Sequence, residues 1–190
     1  MQFFFYRLRF HFQAEAAVHF APGKSGNILR GAFGSVFRRI ACVPQCRDAK
    51  TCEIRADCPY ARIFEPVAVG GGPSGLADHP RPFVFRASHL DGCTVPAGSA
   101  FYFDVHLFDS RHTSIAYFIL TFAQLGREGL GPGRSRASLT GVEQLDPSGA
   151  RMQQIFDGGS ISDPGVLIPS SLICHPTSRP HVTRVPSSSE

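Results

Sequence analysis

Residues 112–139 read HTSIAYFILTFAQLGREGLGPGRSRASL, and this stretch decides how the chain is organised. Ile115, Phe118, Ile119, Phe122 and Leu125 recur at helical spacing, with Asp109 or Ser110 placed to cap the start and Gly126 predicted as the stop. A strand is predicted over 137–145, with Leu139 and Val142 as its apolar members. Between helix and strand lies a loop carrying Gly126, Gly129, Gly131 and Gly133 among Arg127, Arg134 and Arg136. Backbone amides bared by glycine and surrounded by guanidiniums suit a phosphate chain, which needs donors at close range and positive charge nearby. The same composition also describes a flexible connection with solvated arginines, so the rest of the chain has to weigh between the two.

The chain has 190 residues, enough for one ordinary domain and a tail, and its 43% hydrophobic content is enough for a core. Seventeen Phe and no Trp predict a core built largely of phenylalanine, a ring that also stacks on nucleobases. A net charge of +4 and a pI near 8.9 lean mildly toward an anionic partner. No apolar run reaches the roughly 18 residues that a membrane span needs. In the opening MQFFFYRLRF, Arg7 and Arg9 interrupt the apolar run, which argues for a strand rather than a signal peptide and for a cytoplasmic protein. Six cysteines in a reducing compartment favour thiols or metal ligands over disulfides.

From Phe4 to Gln13 the pattern alternates, with Phe4, Tyr6, Leu8, Phe10 and Phe12 on one side and Phe5, Arg7, Arg9, His11 and Gln13 on the other. Period two predicts a strand with one buried face. A helix is predicted over 25–40, with Leu29, Phe33, Val36, Phe37 and Ile40 on its buried stripe and Ser25 or Asn27 as its cap. Gly31 and Gly34 inside it cost about 1 kcal/mol each, which a closely packed sheet would explain best. Cys42, Cys46, Cys52 and Cys58 follow, four thiols that could ligate a structural zinc or an iron–sulfur cluster, though the spacing is not that of a zinc finger or ribbon. The glycine- and proline-rich tract 70–82 predicts a loop and Phe83 to Phe85 a strand. Residues 101–108 alternate again, with Tyr102, Asp104, His106 and Phe108 opposite Phe101, Phe103, Val105 and Leu107.

The order strand, helix, strand, strand, helix, strand predicts an α+β protein of ferredoxin-like type (β-α-β-β-α-β). Its antiparallel sheet would have two helices on one face, with the cysteine tract as an insertion after the first helix. The first and third strands would be neighbours, so Arg7, Arg9 and His11 would meet Tyr102, Asp104 and His106 on an open face suited to single-stranded RNA. The predicted division is a domain over 1–145, an extra hairpin or connection over 146–175, and a disordered tail or linker over 176–190.

GNILRGAFGSVFRRI (26–40), CPYARIFEP (58–66), RPFVFR (81–86) and LGREGLGPGRSRASL (125–139) together resemble the RAMP proteins of CRISPR systems, in the branch of endoribonucleases that processes repeat RNA. The likeness runs over roughly 1–145. It implies binding of single-stranded CRISPR RNA, assembly with other effector subunits, no membrane, and metal-independent cleavage leaving a 2′,3′-cyclic phosphate. Such proteins carry two ferredoxin-like domains, so the chain is expected to correspond to the first. The family's catalytic histidine sits near the first helix, whereas no His lies between Lys24 and Pro73 here, and His19 and Lys24 are the nearest candidates for proton transfer and for a cation. A non-catalytic scaffold subunit that coats guide RNA is the alternative, and a cysteine-based metal or iron–sulfur module is a third.

Overall fold

The computed structural model describes residues 4–43, 46–48, 51–66, 79–109 and 111–169. The expectations for 70–78, for Ser110 as a cap and for the tail from 170 onward lie outside them. The elements run β1 (Phe4–Ala14), β2 (Val18–His19), α1 (Ser25–Ala41), α2 (Pro59–Ile63), β3 (Phe83–Arg86), a 3-10 turn (Ser88–Leu90), β4 (Thr94–Val95), β5 (Ala100–Leu107), α3 (His112–Glu128), β6 (Ala137–Leu145), β7 (Arg151–Phe156) and β8 (Ile168–Pro169). The main sheet has the order β3-β5-β1-β6-β7, with antiparallel pairings, and β8 pairs with Phe4 and Phe5 at the start of β1. Strands β1 and β5 lie side by side from Tyr6↔Leu107 to Gln13↔Ala100. This α+β arrangement is compatible with a ferredoxin-like fold.

Alternation in the paired strands sorts their side chains. Tyr6, Leu8, Phe10 and Phe12 of β1 are buried with Phe101, Phe103, Val105 and Leu107 of β5. The two long helices cover that face. Phe122 of α3 has its ring centroid 5.1 Å from Phe10, 4.9 Å from Phe103 and 5.2 Å from Phe33 of α1, while Phe33 lies 4.6 Å from Phe118. Each such ring adds roughly 1 kcal/mol of aromatic contact to its burial.

Local details depart from the sequence reading for identifiable reasons. Helix α3 passes through Gly126, which is glycine because a side chain there would collide with the Ala137 carbonyl, and it ends at Gly129, whose φ of 109° only glycine adopts readily and whose amide donates to the Leu125 carbonyl. Neither Ser25 nor Asn27 caps α1 with its own side chain. The Asp91 carboxylate, from beyond the 3-10 turn, accepts from the Ser25 amide at 2.9 Å, while Ser25 Oγ donates to the Ala87 carbonyl at 2.8 Å. Gly34 faces the Phe64 ring that follows α2 rather than the sheet, and Gly31 opens onto free space. Helix α2 and the short β2–β4 ladder were not predicted.

Phe122→Ala should lower unfolding stability by about 3–5 kcal/mol in urea denaturation, because it empties the meeting point of sheet and helices. Phe4→Ala, at a side chain on a residue that is 49% exposed, should change it by no more than about 0.5 kcal/mol.

Candidate nucleic-acid interface

The face of the sheet turned away from the helices is organised by one carboxylate. Asp104, 6% exposed, sits on β5 opposite Arg9 on β1. Arg9 Nε donates to Asp104 Oδ1 at 2.7 Å and Arg9 Nη2 to Oδ2 at 3.1 Å, the fork geometry that matches a guanidinium to a carboxylate. Arg7 Nη2 donates to the same Oδ2 at 3.2 Å, and Arg7 Nη1 donates to the Pro147 carbonyl at 3.2 Å. Burial is the largest influence on Asp104 and raises its pKa, but the bonds and charges of Arg9 and Arg7 more than offset it and leave the carboxyl below its usual range. Arg9 also lies 4.1 Å over the Tyr102 ring. Arg7 and Arg9 are thus ion-paired and partly covered, not freely solvated as the alternation alone suggests. His11 Nε2 lies 3.0 Å from Glu143 Oε2, and Glu143 also pairs with Arg151 at 3.3 Å.

Beside this network a cleft of about 370 Å³ opens, where Tyr102, Asp104 and His106, expected on this face, are joined by Arg86 and His89, which the sequence reading did not single out. Arg86, at the end of β3, enters it in register with Asp104. His89 stacks on Tyr102 at 4.7 Å with 28° between the planes, and its Nε2 meets the Tyr102 carbonyl at 2.9 Å. His106 lies 5.4 Å from the Phe5 ring. Burial first, then the charges of Arg7 and Arg86, push the His106 pKa down, so its imidazole is neutral at pH 7. The sequence signal for Arg86 and His89 was weak, because β3 has only four residues and the 3-10 turn has no periodicity to read.

The glycine–arginine loop is an ordered hairpin. Leu130 and Ser135 exchange backbone hydrogen bonds at 2.8 and 3.0 Å, the Arg134 amide donates to the Gly131 carbonyl at 3.1 Å, and Arg134 has a φ of 47°. Arg127, Gly133, Arg134 and Arg136 are exposed, while Gly129 and Gly131 are half-buried. The amides of Gly131 and Gly133 have no hydrogen-bond acceptor among the described residues. Glu128 tempers the charge at the loop's base, since it accepts from Gln124 and Arg39 and so sits below the usual carboxylate range.

His19 lies on β2 against this hairpin. A side chain built on Gly131 would come 3.1 Å from the His19 carbonyl, and Ser135 Oγ donates to the Ala17 carbonyl at 2.6 Å. His19 is exposed, with Nδ1 2.9 Å from Thr94 Oγ1. Lys24 is exposed at the cap position of α1, and its amide donates to the Ala21 carbonyl at 3.1 Å. Among the described residues no carboxylate or second imidazole bonds to His19.

The cysteine tract joins the end of α1 to the start of α2, with Cys42 as one helix's C-cap and Cys58 as the other's N-cap. The Cys42 thiol is pushed up to about 12 by burial, then by Cys58 and Cys46, which lie within its hydrogen-bonding reach, and Cys46 is likewise in reach of Cys52. The thiols are free and form a chain of neighbours. Among the described residues no three His, Cys, Asp or Glu side chains gather as a metal site.

The fold and this surface together define an α+β domain with one helix-covered sheet face and one cationic, partly aromatic face. The AF_1859_N family model, described as an N-terminal domain, matches residues 3–166, and the chain belongs to that family. No curated protein matches it. Among solved structures, a chain of the Csm3-Csm4 subcomplex of the type III-A CRISPR-Cas interference complex is similar at 16% identity and a TM-score of 0.47, over 83% of this chain and 92% of the other. Among the described residues no helix is long and apolar enough to cross a membrane.

Asp104→Asn should cost roughly 1.5–3 kcal/mol at pH 7, the range for hydrogen bonds to a charged group. Because folding holds this carboxyl below its ordinary value of 3.8, its contribution is present above that pH and fades as the pH falls through the lower folded value. Denaturation curves between pH 7 and 2 check this, with the gap between wild type and variant closing only below pH 3.8.

Proposed function

We propose that the chain is an RNA-binding protein of the repeat-associated CRISPR class. It holds a single-stranded ribose-phosphate chain along the glycine–arginine hairpin and the adjoining sheet, as the N-terminal part of an endoribonuclease that cuts repeat RNA without a metal. The observation that carries this reading is the hairpin itself. Arg127, Arg134 and Arg136 are exposed around the amides of Gly131 and Gly133, which have no acceptor of their own among the described residues. Charge and directional donors converge there, as phosphate oxygens require.

In the cleavage step the 2′-oxygen attacks phosphorus, the P–O5′ bond breaks and the 5′-oxygen departs with a proton from water, closing a 2′,3′-cyclic phosphate. His19 supplies the base that takes the 2′-hydroxyl proton, and with Nδ1 engaged on Thr94 its Nε2 is the nitrogen left for that transfer. Lys24 supplies the cation for charge developing on the phosphorane. The second reading is a scaffold subunit that coats guide RNA and does not cut it, and it is favoured by His19 having Thr94 as its side-chain partner and no carboxylate to orient it.

Filter binding to single-stranded repeat RNA should weaken steeply as salt rises, and Arg134→Ala with Arg136→Ala should lower affinity at every salt concentration while reducing the log–log salt slope by about 2. In the same samples with chelator present, a fixed cut that His19→Ala abolishes belongs to the nuclease, and intact RNA belongs to the scaffold. Binding indifferent to salt defeats both.

The four cysteines carry a separate proposal, a structural zinc clip that ties α1 to α2. It is supported by the reach of Cys42 to Cys46 and Cys58 and of Cys46 to Cys52, and it would require the loop between the helices to close from this chain of neighbours into a tetrahedral set. Elemental analysis should find one zinc per chain, lost in Cys46→Ser with Cys52→Ser, together with a lowered melting temperature. Iron with visible colour would assign a cluster instead, and no metal would leave the tract as thiols.

A further inference from the structure

The cleft beside Asp104 has a composition that neither sheet packing nor the glycine–arginine hairpin explains. Three guanidiniums, Arg7, Arg9 and Arg86, face one carboxylate, which leaves the cleft with net positive charge. Two of the three are committed to Asp104, whereas the Arg86 guanidinium has no hydrogen-bond or ion-pair partner among the described residues. At the floor the His106 ring nitrogens likewise have no hydrogen-bond partner among the described residues, and the neighbouring Arg7 Nε is buried without one. Protein interiors rarely leave a buried donor such as Arg7 Nε unmet. On one wall the flat groups of Arg9, Tyr102 and His89 are already layered, with Tyr102 and His89 both exposed.

We propose that this cleft is a binding site for one nucleotide, which continues the Tyr102–His89 stack with its base, offers the base edge to His106, and places its phosphate on Arg86. Each part of the ligand answers a separate feature of the site. The ring requires a planar apolar surface, which the Tyr102–His89 pair provides. The phosphate requires an uncommitted guanidinium, and Arg86 is one. The base edge requires a polar partner, and a neutral imidazole can turn either one donor or one acceptor toward it. The volume, about 370 Å³, falls in the small-ligand range and suits a nucleotide rather than a duplex. Asp104 contributes indirectly, because it fixes Arg7 and Arg9 as the rigid side of the cleft. The inference rests on the reading of this sheet as a nucleic-acid surface and adds a discrete recognition pocket to the sequence-independent hairpin.

The test uses the full chain with three probes: adenosine 5′-monophosphate, inorganic phosphate and a short single-stranded oligoribonucleotide. Amide resonances of Arg86, His89, Tyr102 and His106 should shift with the mononucleotide. Arg86→Ala should weaken that binding about tenfold without changing the melting temperature, and Tyr102→Ala should weaken it about tenfold with a small drop in melting temperature from the lost Arg9 and His89 contacts. Arg134→Ala with Arg136→Ala should leave it unchanged. Shifts reproduced by inorganic phosphate alone would overturn the assignment, since the stack would then play no part. No shifts, or shifts that Arg86→Ala leaves intact, would overturn it as well. If the oligonucleotide depends on Arg134 and Arg136 but not on Arg86, the pocket is rejected while the RNA reading stands. If it depends on Arg86 alone, the hairpin's role is rejected and the pocket stands.

Discussion

The packing of Phe10 and Phe103 against Phe122 is the constraint on which the rest of the structure depends. Those two strand residues are register partners, so once their rings are pressed onto α3 every second residue of β1 and β5 is committed to the helix side. Arg7, Arg9 and His11, with Tyr102, Asp104 and His106, are thereby committed to the other side. Slipping either strand by one residue would bury the cations and expose the rings, a penalty of many kcal/mol given that each Phe contributes on the order of 2–3 kcal/mol of burial. The charged face therefore follows from where the phenylalanines must go.

That logic explains which parts of the molecule were legible. Period two in 4–13 and 101–108 and the apolar stripe of 112–125 are local signals, and they placed both central strands and the long helix correctly except at the start of β1, where Phe4 is exposed and Phe5 buried. The topology also set β1 beside β5, so that Arg7, Arg9 and His11 meet His106, Asp104 and Tyr102 as expected; what it left open was the side-chain bonding. Asp104 could be placed on the open face, but its bonds to Arg7 and Arg9 depend on a register between residues some hundred positions apart. The cap of α1 comes from Asp91, 66 residues beyond Ser25. Gly126 read as a helix stop because glycine usually serves that role, whereas here its missing side chain makes room for the Ala137 carbonyl.

The candidate site shows the same division. The hairpin's glycines and arginines announced themselves by composition, and His19 proved to lie against that hairpin although more than a hundred residues separate them. The cleft did not announce itself, because its residues come from the main strands, a four-residue strand and a 3-10 turn. Its members become a group only when β3 pairs with β5 and sets Arg86 against Asp104.

The two cationic features also differ in kind and in place along β1. Arg7 pairs with Leu145 near the cleft, whereas Ala14 pairs with Ala137, immediately after the hairpin. At about 3.3 Å per residue, the seven steps from Arg7 to Ala14 span roughly 23 Å. A single nucleotide is too short to touch both. A strand of several nucleotides is long enough, but Gly129, Gly131 and Arg134 line a groove with Ile28, Ala32 and Val36 of α1, so it would have to turn from that helix side onto the open sheet face to reach the uncommitted guanidinium. Electrostatics at the hairpin weakens with salt and ignores sequence, while stacking and edge contacts in the cleft do neither to the same degree. On the proposed reading, keeping the two apart would separate affinity for the polymer from recognition of a particular residue in it.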